Sequence, residues 1–355
     1  MARFGGINIY AHNWEFCGCS TLYYFMKVLD LLSGEEVCSR LFRTVRWRNG
    51  VYCPRCGSGR VKGHGNYGQG LKRHFCKACG KTFNDKTGTR LHYSRLSLRE
   101  WFMLMLLFLG LHNSGLGLSW FMDRSYMTVF RAVKGLMLTL RREAQPVRMG
   151  GAVESDEVYV TAGLKGRNNS HRIQRLGRRP RRRGLRRRGR GTWDQDKPAV
   201  FVLVERGGPE DYVPSKDVEA ETALKIIGRR VSGGSTIYTD CFRAYLGLGE
   251  AGYRHEAVNH SAGEWVRGKA HTNGCENRAS LFRPWLALHR GVCKDNLSLY
   301  LAAFKACRKS RAIGPVEALQ EILKILFILL ALPAILRSHL SPETPTKGQP
   351  QHYYL

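Results

Sequence analysis

The sequence predicts a multi-domain α/β protein, and three features of the 355-residue chain indicate this fold class. Two Cys-x-x-Cys pairs lie in the first quarter of the chain. Residues 96–142 carry apolar side chains at helical spacing, which predicts a unit built from helices. From residue 153 onward, short β-branched and aromatic runs alternate with helical patterns, as in a sheet covered by helices. We therefore expect a small cysteine-rich module, a helical unit and a larger α/β domain.

The two cysteine pairs have the spacing of a four-thiolate zinc site. Nineteen residues separate the pairs, and Gly57 and Gly80 follow them directly, as expected where tight turns let two sulfurs converge on one tetrahedral ion. Strand-like runs around a glycine-rich turn lie between the pairs, which predicts a zinc ribbon with structural Zn²⁺. The alternatives are two disulfides or four unrelated thiols, and the spacing favours zinc. The predicted ligands are Cys53, Cys56, Cys76 and Cys79.

The charge balance of the chain predicts a polyanionic partner. Lys and Arg total 57 against 28 Asp and Glu, which gives a formal net charge of +29. Nucleic acid is the usual partner of such an excess, although a ribosomal or membrane-surface protein would show a similar one. We expect nucleic acid to be the partner.

The cysteines and the apolar runs bear on the compartment. The cysteines outside the two pairs show no regular framework, which favours a reducing cytosol. The apolar runs at 101–111 and 325–336 are shorter than the roughly 17–20 residues that span a bilayer, and no secretory signal is evident. We expect a cytoplasmic, nucleoid-associated protein with no membrane partner.

The helical unit contains a candidate DNA-binding motif. A short helix is expected at 116–122, then a turn, then a helix at 126–142 whose apolar residues share one face. Arg131 and Lys134 lie elsewhere on this last helix. A short helix, a tight turn and an exposed basic helix are typical of a helix-turn-helix that enters a major groove. The alternative is a plain packing unit of three helices.

Residues 165–193 form a basic, low-complexity segment. Eleven arginines lie between positions 172 and 190, interleaved with Gly and Pro. Such a run cannot bury a core. It is interpreted either as an arm that orders along DNA phosphates or as a solvated hairpin tip, and the arm is favoured. The predicted DNA-binding arginines are Arg178, Arg179, Arg181, Arg182, Arg183, Arg186, Arg187 and Arg188.

Carboxylates recur where the α/β domain is expected to form strands. The first predicted strand carries Glu154, Asp156 and Glu157, of which the first two point to the same face. A carboxylate in a core strand is costly unless it is paired or holds a metal, so Asp156 or Glu154 is a candidate ligand. Asp240 ends a later strand, and Glu276 lies near the start of a helix, with thirty-five residues between the two. Salt-bridge, helix-cap and surface roles are the alternatives.

Five motifs follow one another along the chain, and together they are more specific than any one of them. They are Cys53-Pro-Arg-Cys56, Cys76-Lys-Ala-Cys79-Gly-Lys-Thr-Phe83, Glu154-Ser-Asp156-Glu-Val-Tyr-Val160, Tyr238-Thr-Asp240 and His271-Thr-Asn273-Gly-Cys-Glu276-Asn277. In this order they resemble the DDE transposases of bacterial and archaeal insertion sequences, in the branch with an N-terminal zinc ribbon and an ISXO2-like transposase domain. The resemblance covers residues 35–310, approximately.

The resemblance implies a ribonuclease-H-like catalytic domain that uses two Mg²⁺ or Mn²⁺ ions to hydrolyse phosphodiesters and transfer strands. Asp156 would contact both ions, Asp240 one and Glu276 the other, with Glu154 and Glu157 as rivals for the first position. The partners would be the terminal repeats and the target DNA, and joining two ends favours a homo-oligomer. Four residues lie near the third carboxylate along the chain, and they either bind phosphate, orient the ligands or pack the helix. They are His271, Asn277, Arg283 and Arg290.

Two alternatives to a transposase stay open at this point. A non-catalytic DNA-binding regulator with a zinc ribbon and a helix-turn-helix would explain the charge and the cysteines but not the three carboxylates. A metal-dependent nuclease on the same fold would cleave DNA without joining it.

The expected organisation is a leader at 1–20, a helical lead-in and zinc ribbon at 21–90, the helix-turn-helix-like unit at 91–145, the catalytic domain at 150–310 with the basic insertion at 165–193, and an apolar helix and tail at 311–355.

Overall fold

A computed structural model describes the chain in separate stretches. The predicted leader, the eight DNA-binding arginines at 178–188 and the predicted C-terminal tail lie outside the described residues. No helix within the described stretches is both long and apolar enough to cross a membrane. The described stretches are 34–68, 70–89, 91–144, 147–164 and 189–312, together with Ile325.

The first described part is a helix packed on a three-stranded antiparallel sheet. The strands follow chain order, with Val61 opposite Cys76 in the first pair of strands and Arg73 opposite Asn84 in the second. Gly57 has a φ of 74°, a backbone conformation that residues with a Cβ rarely adopt. The chain therefore turns sharply just after the first cysteine pair. The elements are α1 (Glu35–Arg46), β1 (Val61–Tyr67), β2 (Leu71–Cys76) and β3 (Thr82–Asn84).

A fully buried carboxylate, Asp85, ties α1 to this sheet. It accepts hydrogen bonds from the Trp47 indole at 2.9 Å and from the Lys72 backbone N–H at 2.7 Å. Its oxygens also lie 3.2 Å from Arg43 Nε and 3.1 Å from His74 Nε2. Burial acts to raise the pKa of Asp85, but these hydrogen bonds and the arginine charge outweigh it and lower the pKa.

Three helices follow, and a capping box starts the first. Ser97 and Glu100 form a reciprocal capping box, with the Ser97 N–H donating to Glu100 Oε2 at 2.7 Å and the Glu100 N–H donating to Ser97 Oγ at 3.2 Å. After Met105 the first helix widens into a π-helical turn at Leu106–Gly110. The helices are α2 (Leu98–Met105), α3 (Gly115–Phe121) and α4 (Tyr126–Glu143).

A mixed five-stranded sheet forms the centre of the second half, in the order β7-β6-β4-β8-β9. Strand β6 runs antiparallel to both of its neighbours, β7 and β4, whereas β8 and β9 run parallel to β4. Strand β7 was not predicted from the sequence, because it is largely polar and contains Pro214, which an edge strand tolerates. The strands are β4 (Ala152–Tyr159), β5 (Ala162–Gly163), β6 (Ala199–Glu205), β7 (Glu210–Ser215), β8 (Thr236–Asp240), β9 (Arg254–Val258) and β10 (Val292–Cys293), of which β5 pairs with β10.

Side chains of β6 alternate between two hydrophobic cores, one on each face of the sheet. Val200 and Val202 pack in the core that contains Phe282 of α6 and Phe304 of α7. Phe201 belongs to the opposite core, which is built with α5. The first core also contains side chains of α2 and α4, so the helical unit and the sheet share apolar packing. The helices are α5 (Ala220–Gly228), α6 (Asn273–Leu288) and α7 (Leu297–Ala312).

The Asp85→Asn substitution should destabilise the protein by about 2 kcal/mol at pH 7, because Arg43 and His74 lose the charged partner of their contacts. Thermal unfolding measures the change, with exposed Asp217→Asn as the control. The folded-state pKa of Asp85 is lowered, so its stabilisation is present above the ordinary Asp pKa and is lost as the pH falls below it. A stability difference that stayed constant down to pH 2 would contradict the assignment.

Candidate active site

The four predicted zinc ligands converge in the structure. Their sulfurs all lie within 4.8 Å of one another, with Cys53 Sγ 3.7 Å from Cys79 Sγ and Cys56 Sγ 3.6 Å from Cys76 Sγ. A tetrahedral ion with Zn–S bonds of about 2.3 Å requires sulfurs separated by about 3.8 Å. The separations are also too long for disulfides, whose sulfurs lie about 2.05 Å apart. The donor set therefore fits zinc.

Backbone groups of the second turn favour the thiolate form of one ligand. A hydrogen bond from the backbone of Cys79 lowers the pKa of the Cys76 thiol to about 7, with a further contribution from Ala78. Zinc binds the thiolate, so this turn prepares the ligand for the ion. Trp47 and Phe83 pack with the buried cysteines and shield that side of the site from water.

The neighbouring strands β4 and β8 bring two predicted catalytic carboxylates toward the same end of the large sheet. Glu154 is the register partner of Tyr238, so the same parallel register continued by two residues aligns Asp156 with Asp240. Both aspartates are half-buried. Glu276 is exposed in the first turn of α6, the helix that packs against β4 and β6.

The three carboxylates share one electrostatic environment. Burial is the main cause that raises the pKa of Asp156 to about 6, and the negative charges of Asp240 and Glu276 add to it. The charge of His260 acts in the opposite direction on the same group. A divalent cation would relieve the repulsion among these carboxylates, and hard oxygen donors are what Mg²⁺ and Mn²⁺ prefer.

The three carboxylates are not gathered as tightly as the cysteines. Among the described residues, only the four cysteines form a group of three or more potential ligands whose donor atoms all lie within 4.8 Å of one another. At least one pair among Asp156, Asp240 and Glu276 is therefore separated by more than 4.8 Å.

A cleft of about 530 Å³ opens at the aspartates. Asp156 and Asp240 line it together with three cationic side chains, Arg190, Lys197 and Arg283. The Arg190 guanidinium lies over the ring of Phe242 at 4.0 Å, which orients it. Carboxylates beside cations suit a phosphate held next to metal ions. Sequence reasoning did not single out Arg190 or Lys197, although the arginine run that leads into β6 was a signal for them.

Glu154, one of the two rival carboxylates, is committed to the start of α6. It is buried, and its Oε1 lies 2.8 Å from Arg206 Nε and 3.2 Å from His271 Nδ1. Its Oε2 accepts from the backbone N–H groups of Gly274 at 2.6 Å and Cys275 at 3.3 Å. A carboxylate at a helix N-terminus satisfies unpaired N–H groups and complements the helix dipole. A Cβ on Gly274 would lie 2.6 Å from Oε2, so this approach requires glycine.

Glu157, the other rival, also lines the cleft, and a buried hydroxyl holds it. The Tyr245 O–H donates a hydrogen bond to Glu157 Oε1. Burial raises the pKa of Glu157 to about 7, partly offset by this hydrogen bond. Asp156 accepts a hydrogen bond from the backbone N–H of Glu157 at 2.7 Å, and it lines the same cleft with Asp240.

The predicted DNA-binding residues of the helical unit lie on α4. Arg131 is exposed and Lys134 is half-buried. The preceding helix α3 ends with exposed Trp120 and Phe121, and Ser125 caps the start of α4 after a tight turn. The helix boundaries agree with the sequence-based expectation to within one residue.

Comparison with known proteins identifies the family. Residues 148–305 match the ISXO2-like transposase domain, and residues 33–82 match the transposase zinc-ribbon domain. A relative from Halobacterium salinarum, described as an uncharacterized protein in transposable element ISH50, is 41% identical over 301 residues. This alignment covers 84% of the chain and 99% of the relative. The chain belongs to the ISXO2-like transposase family.

Two further similarities are more limited. An uncharacterized transposase-like protein of Haemophilus influenzae is 32% identical over 112 residues, which cover 30% of this transposase and 88% of the relative. The solved simian T-cell lymphotropic virus intasome in complex with the PP2A regulatory subunit B56 gamma contains a chain with 13% identity and a TM-score of 0.26. That alignment covers 57% of the transposase and 67% of the other chain, and a similarity at this level carries no structural conclusion.

Family membership confirms the insertion-sequence transposase and the zinc ribbon predicted from the sequence. Transposases as a class cleave and join DNA, and the two matched domains are consistent with DNA as the partner. The converged cysteines agree with structural zinc in the ribbon.

The purified transposase should contain one zinc ion per chain in the ribbon, and the Cys76→Ser substitution should remove it. Loss of a structural ion from so small a sheet should unfold the ribbon, because metal binding supplies its folding free energy. Elemental analysis and thermal unfolding measure both effects. Cys241→Ser, at an exposed cysteine outside the cluster, is the control. Full zinc content in the Cys76→Ser protein would contradict the assignment.

The Glu154→Ala substitution should destabilise the transposase by about 3 kcal/mol, since Arg206 and the first N–H groups of α6 lose their partner. Chemical denaturation measures the change. Glu256→Ala removes an exposed carboxylate from β9 and should leave stability nearly unchanged. Equal effects of the two substitutions would show that Glu154 does not brace the helix.

Proposed function

We propose that this chain is a metal-dependent DNA transposase that cuts the ends of its insertion sequence and joins them to target DNA. One observation carries the proposal: Asp156 and Asp240 face a common cleft lined by cationic side chains, and the charge of Glu276 reaches the same site. A regulator that only binds DNA has no use for like charges in this arrangement.

The strand order supports a ribonuclease-H-like fold for the catalytic part. Three antiparallel strands are followed by two parallel strands on the other side of β4, and helices cover both faces. The carboxylates then lie on the two central neighbouring strands and on a helix that crosses the sheet. Ligands of α/β sheets commonly bind at the carboxyl ends of such strands.

In the proposed site, Asp156, Asp240 and Glu276 would together hold two Mg²⁺ or Mn²⁺ ions. When bound, the ions would activate the attacking oxygen and stabilise the leaving oxygen. Arg283 and Arg190, which line the same cleft, would hold the scissile phosphate.

Side chains outside the cleft contribute by positioning. Glu154 fixes the N-terminal turn of α6, and Glu276 lies in that turn. The contacts of Glu154 with Arg206 and His271 also join this turn to the end of β6. The third carboxylate is thereby held at a set place relative to the sheet, as catalytic geometry requires.

The reaction proceeds in two steps on this proposal. Water first hydrolyses the phosphodiester at the end of the element, and the freed 3′-hydroxyl then attacks the target strand. No covalent protein intermediate is required, so no serine or tyrosine nucleophile is assigned.

The remaining parts of the chain serve DNA recognition in this proposal. The zinc ribbon and the helix-turn-helix-like pair α3 and α4, with Arg131 and Lys134, bind the terminal repeats. The arginine-rich segment binds phosphates without reading sequence, which makes binding strongly salt-dependent. Joining two ends requires a homo-oligomer on the DNA.

Labelled DNA carrying the flanking ends of its own gene tests the proposal. With Mg²⁺ or Mn²⁺, the wild-type protein should cleave and join these ends, and the Asp240→Asn substitution should reduce both steps at least about 100-fold by removing a metal ligand. Asp217→Asn, at an exposed aspartate away from the cleft, should keep the activity. Specific binding without cleavage under either metal would favour the regulator, and cleavage without joining would favour the nuclease.

A further inference from the structure

The loop that follows β9 begins at the end of the sheet where Asp156 and Asp240 lie. Asp240 and Val258 are register partners at the ends of β8 and β9, and Asn259 and His260 come next in the chain. His260 lies close enough to Asp156 for its charge to act on that carboxylate. Side chains of this loop are therefore neighbours of the cleft.

Hydrogen bonds hold this loop in one shape. Asn259 Oδ1 accepts from the Ala262 N–H at 3.2 Å, and Glu264 Oε2 accepts from the Asn259 N–H at 3.0 Å. Arg267 and Ala270 exchange backbone hydrogen bonds of 2.9 and 2.8 Å. The Arg267 guanidinium also donates to a backbone carbonyl of β9. The loop is therefore a preformed platform.

The platform presents a tryptophan to solvent. Trp265 is 59% exposed, and neighbouring Val266 is 54% exposed. The imidazole of His260 packs on the indole, with ring centroids 4.7 Å apart and planes inclined by 33°. More than half of the residue surface stays open, so His260 supports one side of the ring and leaves area for a ligand. A large aromatic side chain held outside the core on a hydrogen-bonded loop is typical of a contact residue.

The charge around this tryptophan suits a nucleic acid. Arg267 and Lys269 are exposed on the same loop. The carboxylate of this loop, Glu264, lies 3.6 Å from Arg267 and so is partly neutralised. An aromatic face beside cations is the usual site for stacking a base while the backbone is held.

We propose that Trp265, supported by His260, stacks on an unpaired nucleobase of the DNA end next to the scissile phosphodiester. A base inside a duplex has both faces covered by its neighbours, so only an unstacked base can present a face to the indole. Stacking here would keep the end of the element open while the cleft holds its backbone. This inference rests on the proposed function, because it assumes that the cleft binds a DNA end.

The test compares the wild type, Trp265→Ala and Trp265→Phe on two substrates. One substrate is a fully paired end, and the other carries mismatches that already unpair the bases at the cleavage site. Trp265→Ala should slow cleavage of the paired end about 10-fold, because the stacking energy that offsets unpairing is lost. Trp265→Phe keeps an aromatic face and should retain most of the rate. The mismatched end should restore most of the rate of Trp265→Ala.

A binding measurement reports on the base itself. Ends containing 2-aminopurine at the cleavage site are mixed with the Asp240→Asn protein, which leaves the DNA intact on the proposed mechanism. The fluorescence change that marks an unpaired, stacked base should appear with this protein. It should be lost in the double variant that carries both Asp240→Asn and Trp265→Ala. Tyr93→Ala, which removes an aromatic side chain that is 87% exposed elsewhere, should leave the signal unchanged.

The outcomes separate this inference from the proposed function. If the wild type fails to cleave any end, the proposed function fails. If the wild type cleaves but Trp265→Ala matches it on the paired end, the stacking role is overturned and the transposase stands. Equal losses in Trp265→Ala and Trp265→Phe, with no recovery on the mismatched end, would show a structural role and also overturn it.

Discussion

The catalytic half of the protein depends on the contact between Glu154 and the first turn of α6. This buried carboxylate lies on the central strand, and it binds two helix N–H groups on one side and Arg206 on the other. Burying an unpaired carboxylate would be strongly unfavourable, so the partners and the carboxylate require one another. The contact decides where α6 begins, and through that where Glu276 lies relative to the sheet.

Acidic side chains are gathered here in a chain with a net charge of +29. Each carboxylate of β4 is treated differently by its surroundings, although the three lie within four residues. Glu154 is neutralised by Arg206, and Glu157 is held by the Tyr245 hydroxyl. Asp156 faces other negative charges instead. Leaving like charges together is unfavourable for folding alone, and such unrelieved repulsion is typical of sites that bind cations.

Much of this arrangement was predictable from the sequence because it depends on local patterns. Cysteine spacing predicted the converged thiols, and the β-branched and aromatic runs after residue 153 predicted a sheet covered by helices. The sequence did not reveal β7, because a polar edge strand with a proline lacks the alternation that marks a strand. The residue pattern alone also left both Glu154 and Asp156 open as candidate ligands, and the resemblance favoured Asp156. Their difference comes from Arg206 and Gly274, which are distant along the chain and meet Glu154 only in the folded protein.

The shared hydrophobic core has a geometric consequence for any DNA that contacts both parts of the molecule. Side chains of α2 and α4 pack in the same core as Phe304 of α7 and Phe282 of α6. The path from α4 to the carboxylates therefore runs through close-packed side chains, which are difficult to stretch or compress. If α4 binds the terminal repeat, this packing sets a fixed distance along the DNA. The number of base pairs between the bound sequence and the cleavage site would then be constant.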